Sequence, residues 1–419
     1  MDAPAHPADQ QSTAELAQDA QNGNVINRIV VIALGTIGAG LLVRNRARIR
    51  FDGLISTILL LFLCWSALSL FWTDDPSLTG RRLISLACLI LFAAGCVARM
   101  NADTLTIFIA GIPVMNLIPG VIAEVEYGRF EPFGSHRFAG TAPHANVQAA
   151  TLAVAGILLC WLVLRAKGSR RLRFAAVLLL LSAFLVMTGS RTSILALLAA
   201  LAFSAILIVA RDHRRLLPVL IAAVFLILGL GGLFKLAISG SGADPLSQAI
   251  ERKGDENSAS TLNGRLDLWR ECLNFAARRP LVGYGYGAFW SAKRIEAISG
   301  DQTWPIQQSH SAYIEELLAL GVTGLTLYVA LLFGCLWMCV ARFFRHQNAY
   351  GAWAAVLVFI AIHNVTESIN VAPLYTNLAF NLVVLYLALI SSNERSANQA
   401  HLLLSGNVTS LRQAESSAS

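Results

Sequence analysis

Stretches of about twenty consecutive, mainly apolar residues recur along almost the whole chain, and they limit its possible folds more than any other feature. The hydrocarbon core of a bilayer is about 30 Å thick, and roughly 20 such residues cross it as an α-helix. Within that core every backbone N–H and C=O must be satisfied by the protein itself, which segments of this length achieve as helices. Suitable stretches run over residues 25–43, 53–72, 82–98, 104–122, 147–165, 172–188, 192–210, 216–236, 312–341, 352–370 and 374–391. The expected fold is therefore all-α, a polytopic transmembrane helical bundle of about 11–12 spans. Composition agrees: 56% of the 419 residues are hydrophobic and 14% charged, where a soluble domain carries about 25% charged residues.

Basic residues set the orientation. Alternate short connections hold Arg44, Arg46, Arg48 and Arg50, then Arg99, then Arg165, Lys167, Arg170, Arg171 and Arg173, then Arg211, Arg214 and Arg215, then Arg342 and Arg345. These are fifteen, against five in the remaining short connections: Arg81, Arg82, Arg129, Arg137 and Arg191. The richer set belongs in the cytoplasm. The chain then divides into a polar tail at 1–24, a first group of spans at 25–236, a large outer loop at 237–310, the last spans at 311–391 and a polar tail at 392–419. Cytoplasmic arginines also account for the net charge of +7, so no nucleic-acid partner is expected. The first 24 residues are acidic and carry no secretory signal, and they read as a disordered tail. Of the seven cysteines only Cys272 lies in the large loop, which excludes a disulfide within it.

Within the large loop, Leu262, Leu266, Trp269, Leu273 and Ala276 fall at helical spacing up to Arg278, Arg279 and Pro280. The pattern predicts an amphipathic helix lying against the membrane or the bundle. The glycine-rich run Gly283–Phe289 follows no strand and sits in no alternating α/β pattern, so a nucleotide loop is excluded.

Three polar residues stand at the outer edges of apolar spans. Arg191 joins two spans almost without a loop, Arg265 opens the amphipathic helix, and His310 stands where the large loop returns to the membrane. A charge at the bilayer centre costs about 2.5–3.5 kcal/mol on insertion scales. Taken singly, Arg191 reads equally as an arginine reaching to headgroups, Arg265 as a solvated arginine and His310 as a residue at a helix start. Asp74 and Asp75, in a short outer turn, read as solvated surface with no metal set around them.

Taken together, TGSRTS around Arg191, GRLDLW and PLVGYGYGAF from Gly264 to Phe289, and SHSAYIEELLALGVTGL from Ser309, resemble the O-antigen ligase and O-antigen or exopolysaccharide polymerase superfamily. FWTDDPSLTGRRLISL and RFAGTAPHANVQAA fit as well, so the resemblance covers about residues 50–390. Ser311 stands after His310 where family members often have asparagine. The resemblance implies a GT-C-like glycosyltransferase of a bacterial inner membrane, working on the periplasmic face without nucleotide sugars, cofactor or metal. Its donor would be a glycan on undecaprenyl diphosphate, and its acceptor a sugar hydroxyl of a glycan or of lipid A core. Membrane lipids and polysaccharide-assembly proteins are the further partners it implies.

The chemistry of the residues fits this expectation. Arginine's planar fork binds phosphate oxygens in pairs, so Arg191 and Arg265 are candidates to clamp the donor diphosphate. His310 is the candidate base for the acceptor hydroxyl, and nearby arginines would favour its neutral form. Arg137, His144, Asn146, His363, Asn364 and Glu367 are candidates either to line the cavity or to join helices. The loop aromatics Trp269, Tyr284, Tyr286, Phe289 and Trp290 suit sugar stacking and the membrane interface equally. Ligase and repeat-unit polymerase stay open, and a lipid-linked oligosaccharide flippase or other transporter is the alternative from another class, against which stands the lack of an inverted repeat.

Overall fold

The computed structural model describes residues 12–23, 25–45, 53–131, 136–212, 265–302, 305–345, 347–368 and 375–389. The expected span at 216–236, the first part of the large loop at 237–264 and the C-terminal tail at 392–419 lie outside the described residues. Every other expected span falls on a helix. These are α2 (Val25–Asn45), α3 (Leu54–Leu68), α4 (Pro76–Val97), α5 (Ala102–Glu126), α6 (Ala145–Arg165), α7 (Gly168–Met187), α8 (Arg191–Asp212), α11 (Ala312–Phe343), α12 (Ala349–His363) and α13 (Tyr375–Leu389). Three shorter helices belong to the hydrophilic part: α1 (Thr13–Asn22), α9 (Arg265–Arg278) and α10 (Ala292–Gln302). Among the described residues no strand occurs, and seven helices are long and apolar enough to cross a membrane by length and composition. The chain is an all-α, multi-pass membrane protein.

Helix α6 forms the centre of the bundle. Ala149, Ala153 and Ala155 on it are fully buried, together with Leu152, Val154 and Ile157. Small side chains there let neighbouring backbones approach, which favours helix association in lipid, where apolar burial drives little. The same device joins α2 to α4. A Cβ at Gly38 would lie 2.4 Å from the backbone of Phe92, and one at Gly95 would lie 2.7 Å from the Gly38 carbonyl.

Three expectations about the helices change in the structure. Residues 13–22 form a helix instead of a disordered tail: Ser12 and Glu15 cap it reciprocally at 2.8 and 3.3 Å, and Leu16 and Ala17 are buried against the loop. Helix α9 is present as expected, but its inner stripe is Leu268, Cys272 and Ala276, while Leu266 and Leu273 are exposed. The loop supplies its own core to α9, built of Tyr284, Phe289, Trp290, Ile295, Ile298 and Ile306, and this core selects the cysteine face. The span expected at 352–370 ends as a helix at His363, because residues 364–367 turn to receive the start of α11. The Ala312 amide donates there to the Asn364 carbonyl at 3.0 Å.

The loop is seated on the turn between α3 and α4. Asp74 pairs with Arg279 at 2.8 Å and with Arg294, and Asp75 caps α4 by accepting from the Leu78 amide at 2.9 Å. Neither carboxylate is merely solvated surface. Trp72 Nε1 donates to the Val282 carbonyl at 2.9 Å, and the Tyr286 amide donates to Ser69 Oγ at 2.9 Å.

Helix α11 breaks at Gly321, whose φ of 68° and ψ of −169° are open essentially to glycine alone. A Cβ there would lie 2.3 Å from the backbone of Leu281. The break leaves carbonyls of the preceding turn without helical donors. The glycine-rich run supplies replacements: Tyr284 N donates to the Leu318 carbonyl and Gly285 N to the Ala319 carbonyl, each at 2.9 Å. Trp65 Nε1 donates to the Leu320 carbonyl at 3.1 Å. Irregular backbone inside a bundle of this kind is tolerated where protein surrounds it, and Leu318 and Leu320 are fully buried.

Candidate active site

At the loop end of the bundle, residues far apart in sequence meet at Glu367. Its Oε1 accepts from Arg265 Nη2 at 2.9 Å and from Asn146 Nδ2 at 2.8 Å, and its Oε2 faces His310 Nδ1 at 3.6 Å. At that distance His310 and Glu367 are within ion-pair range but too far apart for a hydrogen bond. Arg265, at 2.9 Å, also donates to the Thr366 carbonyl and is the tighter partner. The side chains of Arg265 and Glu367 are 14% and 10% exposed, so this is a largely buried pair. Burial pushes the Glu367 carboxyl up, but the facing His310 ring and the Arg265 guanidinium outweigh burial and bring it down to about 2.

The loop that carries His310 is fixed on both flanks. Trp269 Nε1 donates to the Ser309 carbonyl at 2.8 Å, which ties the loop to α9. The Ser309 amide donates to Glu315, which also receives Trp290 Nε1 at 2.9 Å. Between these anchors His310 has φ 54°, the one positive value at a non-glycine among the described residues. A histidine held in the left-handed region stores of order 1–3 kcal/mol and persists only where its surroundings impose it. Strain of this kind tends to collect at functional sites.

The TGSRTS segment joins the cluster through its neighbours. Arg137 Nε donates to the Thr188 carbonyl at 2.7 Å and its Nη2 to Asn146 Oδ1 at 2.6 Å, which completes the path Thr188–Arg137–Asn146–Glu367–Arg265. One helical turn away, Ser193 Oγ meets His363 Nε2 at 3.1 Å, and His363 stacks on Phe359 at 5.2 Å. Arg191 is the first residue of α8; it is exposed, and among the described residues its guanidinium makes no hydrogen bond or ion pair. His144 stands at the N-cap of α6 and contributes its carbonyl to Val147 and Gln148. Asn364 is buried and donates to Tyr328 Oη at 2.6 Å, so it serves helix packing.

The structure thus brings Arg265, His310, Asn146, Arg137 and Glu367 together, with Glu367 at the centre. Glu315 and Ser309 were missed in the sequence, and Trp290, expected as a stacking surface, instead donates to Glu315. A signal for Glu315 existed, because a carboxyl inside an apolar span is costly and is kept for a reason. The aromatics offered for stacking are occupied: Tyr284, Phe289 and Trp290 are buried in the loop core.

Known proteins bear on this arrangement. Residues 176–329 match the family described as O-antigen ligase. The resemblance to O-antigen ligases and polymerases holds. The chain is also similar to the exopolysaccharide production protein ExoQ of Rhizobium meliloti, 28% identical over 285 residues. The matched part is 65% of this chain and 62% of that protein's length. The family match takes in TGSRTS, Arg265 and His310, while Glu367, Asn146 and Arg137 lie outside it.

Proposed function

We propose that this protein transfers a glycan from undecaprenyl diphosphate to a sugar hydroxyl on the periplasmic face of a bacterial inner membrane, as an O-antigen ligase does. The observation that carries the proposal is the meeting of Arg265 and His310 on one carboxylate, Glu367. Each has a task in such a transfer. A diphosphate leaving group needs positive charge held in place as its own charge develops. Arg265, oriented by Glu367, and the exposed Arg191 supply that charge, so the reaction as proposed calls on no metal. With Nδ1 turned towards Glu367, His310 takes the acceptor's proton on Nε2. The bond formed joins the acceptor oxygen to the anomeric carbon of the donor sugar. The bond broken is the one from that carbon to the diphosphate, which leaves with the electron pair.

A second reading has support of its own. The relative named for exopolysaccharide production favours the joining of repeat units into a longer chain over transfer of a finished glycan to lipid A core. The same residues serve both reactions. Incubating the purified protein with lipid-linked repeat units separates them: a ladder of products means polymerisation, and transfer only to added lipid A core means ligation. His310→Ala should lower transfer by about 10²- to 10⁴-fold while the donor still binds, and Arg265→Ala should weaken use of the donor itself. Full transfer by His310→Ala would exclude histidine as the base, and loss of transfer on adding a chelator would exclude the metal-independent scheme.

A further inference from the structure

As one continuous helix, the 32 residues of α11 would extend about 48 Å, well beyond the hydrocarbon core of about 30 Å that they have to cross. The break at Gly321 divides that length. Residues 322–343 alone reach about 33 Å and suffice for the crossing. The part before the break carries Glu315 and Glu316, two carboxyls that are costly inside hydrocarbon. Beyond the break, Val322, Phe333 and Trp337 are exposed at helical spacing, and they form the face that α11 turns to lipid. The bilayer surface on the loop side therefore lies at the level of Gly321. Two tryptophans mark the same level: the Trp65 indole bonds the Leu320 carbonyl and the Trp72 indole the Val282 carbonyl, and indoles gather where hydrocarbon meets water.

The large loop brings an apolar row to this level. Leu266, Leu273 and Ala277 are exposed along one face of α9, turned away from the stripe buried in the loop core. A further helical turn follows, in which the Gly283 amide donates to the Arg279 carbonyl at 3.0 Å, and it carries Leu281, 66% exposed, as the next member of the row. There the Val322 amide donates to the Pro280 carbonyl at 2.7 Å. The row thus ends where the lipid-facing stripe of α11 begins. Phe71, 85% exposed, adds an apolar ring next to Trp72. Two exposed arginines flank the row: Arg278 lies over the Phe275 ring at 4.8 Å, and Arg270 pairs with Asp267 at 2.8 Å.

We infer that the exposed row of α9 and Leu281 is a membrane-docking surface, seated in the phospholipid headgroup region on the loop side. Helices of this kind bury an apolar face about 5–10 Å into the boundary between headgroups and acyl chains, with basic residues reaching the phosphates. The row needs no other partner to cover it, because it continues a surface that lipid already covers on α11. Arg265 opens the same helix and pairs with Glu367. The docked row then fixes the height of the candidate active site above the bilayer. On the transfer reading, on which this last consequence rests, that height matches the site to a diphosphate carried by a lipid.

Photo-crosslinking of the full-length protein in nanodiscs of phosphatidylethanolamine and phosphatidylglycerol tests the inference. The photoreactive residue p-benzoylphenylalanine replaces Leu273 or Leu281 in the row, Phe333 on the lipid-facing stripe of α11, or Glu296 on α10. All four positions are exposed, so the variants should fold. Mass spectrometry then counts phospholipid adducts. The probes at 273 and 281 should give at least tenfold more adduct than the probe at 296, and should come within about threefold of the probe at 333. Adduct at 273 and 281 no higher than at 296 would overturn the docking surface. So would cross-links that run mainly to residues 237–264 or to a second copy of the chain. The readout needs no transfer: phospholipid adducts in a protein that never transfers would keep the surface and overturn the transferase reading.

Discussion

Replacing Glu367 with alanine is the most direct test of how the site is organised. Three things happen at once: the Arg265 guanidinium loses its 2.9 Å partner, Asn146 loses its 2.8 Å acceptor, and His310 loses the carboxylate it faces. Removing one member of a buried pair costs about 3–5 kcal/mol, because the remaining charge stays buried and uncompensated. With Arg265 and Glu367 only 14% and 10% exposed, that range applies here without a large discount for solvent. Adding Arg265→Ala should return part of the loss, with a coupling energy of about 0.5–3 kcal/mol. Activity should fall further than stability alone explains, since an error of about 1 Å in placing a reacting group can cost about 100-fold. Thermal unfolding in nanodiscs measures the first quantity, and single-turnover transfer from lipid-linked donor at a temperature where the variant is folded measures the second. If Glu367→Ala unfolds at the temperature of the parent and transfers within twofold of it, Glu367 does not organise the site and the mechanism fails with it.

Glu367 also makes stability depend on pH: its carboxyl lies at about 2 in the fold against 4.5 ordinarily, so its contribution is complete above about 4.5 and is lost as pH falls through about 2. The difference in melting temperature between the parent and Glu367→Gln should therefore close over that window, and a difference that persists at pH 2 would contradict the pairing. Gly321→Ala should destabilise by roughly 2–5 kcal/mol, from the φ/ψ penalty and a Cβ forced against the Leu281 backbone; unchanged thermal unfolding would mean that the break is not needed. Cys272 is fully buried and burial pushes its thiol up, so an impermeant maleimide should leave it unlabelled in intact cells. Glu296→Cys, at an exposed site on α10, should be labelled from outside the cytoplasm, and labelling only after the inner membrane is breached would reverse the orientation.

How far the sequence could lead depended on the kind of signal. Long apolar stretches are the clearest signal, and each span they marked falls on a helix where residues are described, although the one expected at 352–370 ends at His363. Arg265 and His310 could be singled out because each is a charged or titratable group at the edge of such a stretch. Their common partner was harder to see. Glu367 sits inside a stretch apolar enough to read as part of a span, and only the turn after His363 shows that the helix has already ended. The inner stripe of α9 was misread because Leu266 and Leu273 look more buried than Cys272 does. Burial there is set by a loop core whose members lie up to forty residues further on, and spacing within one helix carries no trace of it.

The broken helix α11 has a consequence for biosynthesis. The amides that complete its break belong to residues 284 and 285, while the carbonyls they satisfy belong to residues 318 and 319. The donors therefore leave the ribosome more than thirty residues ahead of the acceptors. When the first half of α11 reaches the translocation channel, the segment that makes its irregular backbone tolerable in lipid has already been made. A chain with these two segments exchanged in order would have to expose bare carbonyls to hydrocarbon until their partners arrived.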